Sequence, residues 1–416
     1  MNGDNINSSG LVENSSDGSG AFATGRYRNL FAEAGRNHDE IESKIDSAFQ
    51  QLFHGDPNEQ AVYYPAGENA NGLLAYIYCP YTDDVRSEGI SYGMMTAVQF
   101  DKKAEFDALW NWAMTYMHHD SPQHPAYGFF SWAVKTDGTP IDEMPAPDGE
   151  EYIATALFFA AARWGNGKGI YNYQARANQL LRDMKNRKFI TGPTVRGVRT
   201  AGNLFDAEHK MIRFSPVIEI CEHTDPSYHL PAFYELWARW GHEGDRQFWL
   251  EVASASRDFF VRTTHSKTGL SPDYANFDGS PWQGPQGSSG DSVNFLFDAW
   301  RTAMNWSMDW AWWGKDARQR QLSDRIQAFF ESKGIADYGD RFTLAGEQLD
   351  PGHSDGLVAA NAVASLAATN PRAEKFVDAL WNLSVPSGQF RYYNGLLYLF
   401  SMLHCSGRFR IWSPNR

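Results

Sequence analysis

The feature that most limits what this 416-residue chain can fold into is a run of helix-length apolar periodicities, one after another. Ile41, Ile45, Phe49 and Phe53 recur at helical spacing across 37–53, and His54-Gly55-Asp56-Pro57 ends the segment. From Glu88 onward the same reading predicts helices over about 88–100, 102–118, 149–164, 172–187, 228–241, 245–263, 293–313, 315–333, 354–368, 371–383 and 392–405. Many of these fall in pairs, joined alternately by short turns and by long loops. A helix that is apolar all round needs neighbours on every side, and an amphipathic one needs a neighbour on one side. Six helical hairpins closed into an (α/α)6 barrel meet both needs, with the apolar helices inside, and segment 293–313 suits the inner layer. An α-solenoid is the alternative, but the segments share no repeated period.

No Pro/Gly-rich linker divides the chain, so residues 26–416 read as a single all-α domain. Residues 1–25 are rich in Gly, Ser, Asn and Asp and read as a mobile tail. The long loops, 119–148, 188–227, 264–292 and 334–353, would gather at one end of the barrel, and 128–134 has a strand-like run. Loops on a rigid scaffold are where binding and chemistry concentrate.

Composition excludes several functions. The formal charge of −13 leaves no clustered Lys and Arg to neutralise phosphates, so nucleic acid is not the expected partner. Cys79, Cys221 and Cys405 are far apart and lack metal-ligand spacing, which speaks against a disulfide framework and a structural zinc site. No apolar run reaches spanning length, and the N-terminus lacks secretory features, so the expected address is the cytoplasm, away from membranes. Aromatic residues make up 15% of the chain, enough to supply a large core and also flat surfaces for sugar rings.

Carboxylates at element boundaries are the candidates for chemistry. Glu88 stands where a charged loop runs into an apolar helix; it reads as a helix-start glutamate or as a general acid raised by burial. Asp148 precedes an Ala/Phe-rich helix, as a cap or as a site residue. Asp298 sits within the most apolar segment and needs a partner, and Arg301 lies one turn on. Asp225 to Pro231 forms a polar and aromatic knot before another helix. Trp132, Tyr274, Trp282, Tyr392 and Tyr393 are candidate stacking residues. Separated carboxylates and many aromatics, with no metal motif, phosphate loop or nucleophile elbow, suggest cofactor-free glycoside hydrolysis.

The stretches Asp84 to Met95 and Ala146 to Leu157 resemble the two signature regions of glycoside hydrolase family 8. The resemblance continues through Asp225 to Tyr234, Phe297 to Asn305 and Arg391 to Leu399. It implies an (α/α)6 barrel and inversion at the anomeric carbon. It also implies Glu88 as general acid, Asp298 as general base held low by Arg301, Asp148 gripping the sugar at subsite −1, Tyr228 placing water and Arg301 orienting the base. Trp132, Tyr92, Tyr392, Tyr393 and His353 are then the expected sugar contacts, with His353 at the anomeric hydroxyl in subsite +1. Glu150 departs from the family's usual Asp. Within the family the chain is most similar to enzymes that release xylose from the reducing end of xylo-oligosaccharides. An endo-acting xylanase or glucanase is the alternative, and a non-catalytic carbohydrate-binding barrel is the alternative from another class.

Overall fold

The computed structural model describes residues 19–284 and 290–414. Twelve helices of nine residues or more carry the fold: α1 (His38–His54), α2 (Ser87–Gln99), α3 (Lys103–Tyr116), α4 (Pro147–Trp164), α5 (Tyr173–Asn186), α6 (Pro231–Trp240), α7 (Arg246–Thr263), α8 (Thr302–Trp313), α9 (Arg318–Lys333), α10 (Asp355–Val363), α11 (Ala373–Asn382) and α12 (Arg391–Cys405). The even-numbered helices are buried along nearly their whole length; in α2 every residue is buried except Glu88, which is half-buried at the rim of a cleft. The odd-numbered helices bury one stripe, as α5 does with Tyr173, Ala177, Leu180, Leu181 and Met184.

Neighbour relations follow from this division. Helix α2 packs on α4, α4 on α6, α6 on α8, α8 on α10, α10 on α12, and α12 on α2. Each also packs against an odd-numbered helix, α3, α5, α7, α9, α11 and α1 in turn, and α12 touches α11 as well. In this order α2 and α8 stand three steps apart.

A five-stranded antiparallel sheet of β1 (Tyr63–Asn69), β2 (Gly72–Cys79), β3 (Asp84–Arg86), β4 (Ala133–Val134) and β5 (Pro140–Asp142) lies beside the start of α2. Strand β3 runs directly into α2, with Val85 paired to both Tyr78 and Val134. The Ser87 N–H donates to the Trp132 carbonyl at 2.9 Å, which ties the loop 119–148 to that helix start.

Several expectations are corrected in detail. The helix expected over 293–313 begins only at Thr302. Asp298–Arg301 is a 3₁₀ turn whose first two N–H groups are taken by the Asp273 carboxylate, and Phe295 pairs with Phe342 in an isolated bridge. The helix expected from 228 starts at Pro231, after a separate 3₁₀ turn at Pro226–Tyr228. Of the run 128–134, only Ala133–Val134 is a strand. Most of the expected tail, residues 1–18, lies outside the described residues. The remainder is ordered: Ala21–Thr24 is a helical turn, the Gly20 N–H donates to the Trp313 carbonyl at 3.3 Å, and Phe22 stacks on the Trp313 ring at 4.4 Å. All three cysteines are free and buried. Among the described residues no helix is long and apolar enough to cross a membrane.

Candidate active site

The N-terminal ends of the even-numbered helices supply the site. Glu88 is the second residue of α2 and borders a cleft of about 780 Å³, also lined by Asp298, Arg301, Trp132 and His353. Its Oε1 accepts the Trp132 indole N–H at 2.9 Å. Burial raises its carboxyl from the ordinary range to about 8, reinforced by the Asp148 charge and partly opposed by Arg86 and by the indole bond. Two glycines make room here. A Cβ at Gly89 would lie 2.7 Å from the Tyr392 ring, and one at Gly149 would lie 2.8 Å from the Ser87 hydroxyl. The starts of α12 and α4 can thus close on the start of α2.

Asp148, the second residue of α4, is buried, and Ala146 rather than Asp148 holds the N-cap position. Its Oδ1 accepts the Gly149 N–H at 3.0 Å, and its Oδ2 accepts from Arg301 Nη1 at 2.5 Å. Burial pushes it up to about 6 against the pull of that guanidinium. Arg301 Nη1 also donates to the Tyr92 hydroxyl at 3.0 Å, and Nη2 donates to Asp298 Oδ1 at 2.8 Å. One buried fork therefore spaces two carboxylates and a phenol. The pairing of Asp298 with Arg301 inferred from their i,i+3 spacing is present, and Asp148 extends it into a bridge.

Asp298 differs from its partners in being partly exposed, with 31% of its side chain accessible. Its position is set from behind: Asp273 Oδ1 accepts the N–H groups of Asp298 at 3.0 Å and Ala299 at 3.2 Å. Burial and the Asp298 charge raise Asp273 to about 8. Asp225 caps the turn leading to Tyr228 through the Ser227 N–H at 2.6 Å; its other carboxylate oxygen is buried with no partner among the described residues. Burial raises Asp225 well above the usual carboxylate range, and the neighbouring Asp298 charge adds to the effect. Tyr228 is buried, with the Arg301 guanidinium 5.8 Å from its ring centre.

The expected sugar contacts divide. Trp132 lines the cleft, but the Arg86 guanidinium lies 5.0 Å from its ring centre and its edge serves Glu88, so it braces the carboxyl as well as offering a surface. Tyr392 and Tyr393 line the cleft; Tyr393 donates to the Phe297 carbonyl at 2.7 Å. His353 donates through Nδ1 to the Tyr338 carbonyl at 2.8 Å, which fixes the ring and leaves Nε2 as its other polar atom. Tyr274 lines the cleft, whereas Trp282 lies flat on His223 with ring centres 3.6 Å apart. Glu150 stands behind the site, accepting the Phe130 N–H at 3.0 Å. Sequence reasoning missed Asp273, Arg86, Tyr81 and Phe390. Only Arg86, beside Glu88, carried a local signal.

Among the described residues one His/His/Glu cluster has the composition of a metal site. His119 and His124 stack at 4.0 Å, and Glu143 lies 3.4 Å from His124 Nε2. His124 Nδ1 accepts the Ala126 N–H at 3.1 Å, which places the ring proton on Nε2, facing Glu143. In that tautomer the nitrogen facing the carboxylate has no lone pair to offer a cation.

Comparison with known proteins places this geometry among relatives. The family model of glycosyl hydrolases family 8 matches residues 81–407. The reducing-end xylose-releasing exo-oligoxylanase Rex8A of Paenibacillus barcinonensis is 45% identical over 95% of this chain and 99% of its own length. A reducing-end xylose-releasing exo-oligoxylanase of Halalkalibacterium halodurans is 42% identical over 95% of this chain and 97% of its length. A xylanase of Teredinibacter turnerae, solved as a catalytic mutant with xylohexaose, is 55% identical, with a TM-score of 0.93 over 95% of this chain and all of the other.

Proposed function

Because the chain belongs to glycosyl hydrolase family 8, we propose that it hydrolyses β-1,4-linked xylo-oligosaccharides with inversion, releasing xylose from the reducing end. The observation that carries this reading is the contrast between Glu88 and Asp298 across one cleft. Both are half-buried, but Glu88 accepts only from the neutral Trp132 indole and Ser87 hydroxyl and has its carboxyl raised to about 8 by desolvation, whereas Asp298 is paired with a guanidinium. Inversion needs one carboxyl of each kind.

In the proposed reaction Glu88 donates its proton to the glycosidic oxygen as the bond from that oxygen to the anomeric carbon breaks. Asp298 takes a proton from water as the water oxygen bonds the opposite face of that carbon. The sugar leaves with the inverted configuration, and the two carboxyls return to their starting states by exchanging protons with solvent. Asp148, fixed by Arg301, grips the sugar at subsite −1; Tyr228 helps to place the water; Arg301 positions Asp148 and Asp298 together. His353, its ring fixed by the Tyr338 carbonyl, recognises the anomeric hydroxyl of the leaving xylose at subsite +1 through Nε2. Tyr92, Tyr392, Tyr393 and Trp132 complete the sugar contacts. The neighbour order of the helices supports their arrangement as six hairpins of an (α/α)6 barrel in a single catalytic domain.

A second reading is internal cleavage of longer xylan chains, favoured by one observation: the Teredinibacter turnerae xylanase, 55% identical in the structural match where Rex8A is 42%, was solved with xylohexaose. Following xylotriose to xylohexaose hydrolysis by proton NMR tests both. The α-anomer as first product supports inversion and the β-anomer refutes it. Xylose with xylopentaose from xylohexaose supports release from the end, and xylotriose supports internal cleavage.

A further inference from the structure

The polar and aromatic knot at Asp225 to Pro231 gives Tyr228 to the site, but its first residue has no part in the chemistry described above. Asp225 is fully buried. Its Oδ1 accepts the Ser227 N–H at 2.6 Å and caps the turn Pro226–Tyr228, while its Oδ2 is buried without a partner among the described residues. A buried carboxylate ordinarily gathers several donors, and an oxygen left without one costs more than the bond it would have made. Capping needs one oxygen. The second has no such duty.

The turn Pro226–Tyr228 packs against the turn Asp298–Arg301 and against α8, and the Asn305 side chain ties them by donating to the Ser227 carbonyl at 2.6 Å. Charged and titratable groups face Asp225 from each side: Asp298 and Arg301 on the second turn, Asp273 and Tyr274 on the segment behind it, and Tyr228 on its own turn. Helix α7, the other neighbour, meets the end of this turn at His229, whose ring nitrogens pair with the Ser256 hydroxyl at 2.8 Å and the Thr224 hydroxyl at 3.0 Å.

Four carboxyls therefore stand around one guanidinium, and their donors decide which of them carries a proton. Arg301 bonds Asp148 and Asp298 directly, and Asp273 has two backbone N–H donors. Asp225 has a single N–H, so a charge there is the least compensated of the four. Burial raises it well above the usual carboxylate range, and the Asp298 charge adds to the effect. Because Oδ1 accepts a backbone N–H, the proton belongs on Oδ2, the atom without a partner. A carboxylic acid kept neutral by burial is a hydrogen-bond donor. Arg301 binds Asp298 through Oδ1, which leaves Oδ2 of that carboxylate for a further donor.

We propose that Asp225 is a positioning residue of the base, a neutral carboxylic acid that donates from its Oδ2 to the Asp298 carboxylate and so holds it aimed and ionised toward the attacking water. The proposal rests on the hydrolase reading above and deepens it. Asp298 is then gripped three ways: by Arg301 on its carboxylate, by Asp273 on its backbone, and by Asp225 from the neighbouring turn.

The test compares Asp225→Ser and Asp225→Asn with the wild type on xylohexaose. Serine keeps the cap but has no second oxygen, whereas asparagine keeps the cap and offers an N–H where the acid has its O–H. Asp225→Ser should lower kcat about tenfold with KM little changed, and should move the acid limb of kcat/KM upward by about half a unit. Asp225→Asn should bring kcat back to within about threefold of the wild type and return the limb to its wild-type place. In infrared spectra at pH 7 the wild type should show a carboxylic-acid C=O stretch that Asp225→Asn lacks. Wild-type kinetics in Asp225→Ser would reduce Asp225 to a cap and overturn the proposal. An acid limb moved downward in Asp225→Asn, or no infrared band lost, would show that Asp225 carries a charge and overturn it too, even where Asp225→Ser fails to fold. A wild-type chain inert toward every xylo-oligosaccharide overturns the hydrolase reading, and the role of Asp225 with it.

Discussion

The two walls of the cleft solve opposite problems with the same chemical group. On the α2 wall, Glu88 sits on a regular helix running out of a strand, its carboxylate served by the Trp132 indole N–H and, at 3.4 Å, by the Ser87 hydroxyl, and otherwise pressed by desolvation and the Asp148 charge. On the α8 wall, Asp298 sits in a 3₁₀ turn, half turned to solvent, bound to a guanidinium and held from behind by a second carboxylate. Desolvation with only neutral donors raises the Glu88 carboxyl, whereas Asp298 is matched with a fixed guanidinium. The difference between acid and base is therefore made by the walls and not by the choice of Glu or Asp.

Removing the titrating group from the acid wall should have the largest effect. Glu88→Gln keeps the indole contact but cannot release a proton, so kcat on xylo-oligosaccharides should fall roughly a thousandfold with the far-UV circular dichroism unchanged. Near-wild-type turnover would abolish the contrast between the walls.

Breaking the base wall should cost stability as well as turnover. Arg301→Met leaves buried Asp148 and its neighbour Asp298 without their shared cation, and denaturant unfolding at pH 7 should show a loss of about 3–5 kcal/mol. The loss should shrink as pH falls below the Asp148 range near 6, because a protonated Asp148 needs no cation.

A subtler test separates position from charge. Asp273→Ala removes the acceptor of two N–H groups and should lower kcat by roughly tenfold to a hundredfold with little change in KM. Asp273→Asn retains an acceptor oxygen and should recover most of the activity. Equal losses in both variants would show that the Asp273 charge matters and not its grip on the turn.

The smallest effect is expected in the pH profile. Glu88 is raised to about 8, so kcat/KM should be high below that pH and decline as pH rises through it. The same group adds stability that is full below the ordinary Glu range and fades between it and about 8, because the folded state binds the extra proton over that window. The Trp132 indole N–H stabilises the ionised form, so Trp132→Phe should move the alkaline limb upward by about half a unit. A downward move would mean that the indole acts chiefly by excluding water.

Sequence pattern carried the acid wall further than the base wall. The apolar run after Glu88 and the Ala/Phe-rich run after Asp148 are local statements, and α2 and α4 lie within two residues of where periodicity puts them. The segment before Thr302 has the same apolar composition yet is not helical, because its backbone bonds go to Asp273 and Phe342, 25 and 47 residues away (298 − 273 and 342 − 295). No pattern within 293–301 records those partners. Tyr81 and Phe390 were illegible for a related reason: exposure belongs to the assembled surface, and 309 residues (390 − 81) separate two rings that meet at the cleft mouth.

The docking of Phe22 on Trp313 has a mechanical consequence. Helix α8 is 12 residues long, about 18 Å, and is gripped at both ends: by Asp273 just before its first turn and by the 20–24 segment at its last. A rod fixed at one end can still slide or tilt, and one fixed at both ends keeps its axial register. Cutting the chain after residue 25 would free the far grip, so a segment remote from the chemistry would be felt at Asp298 as a loosened shaft.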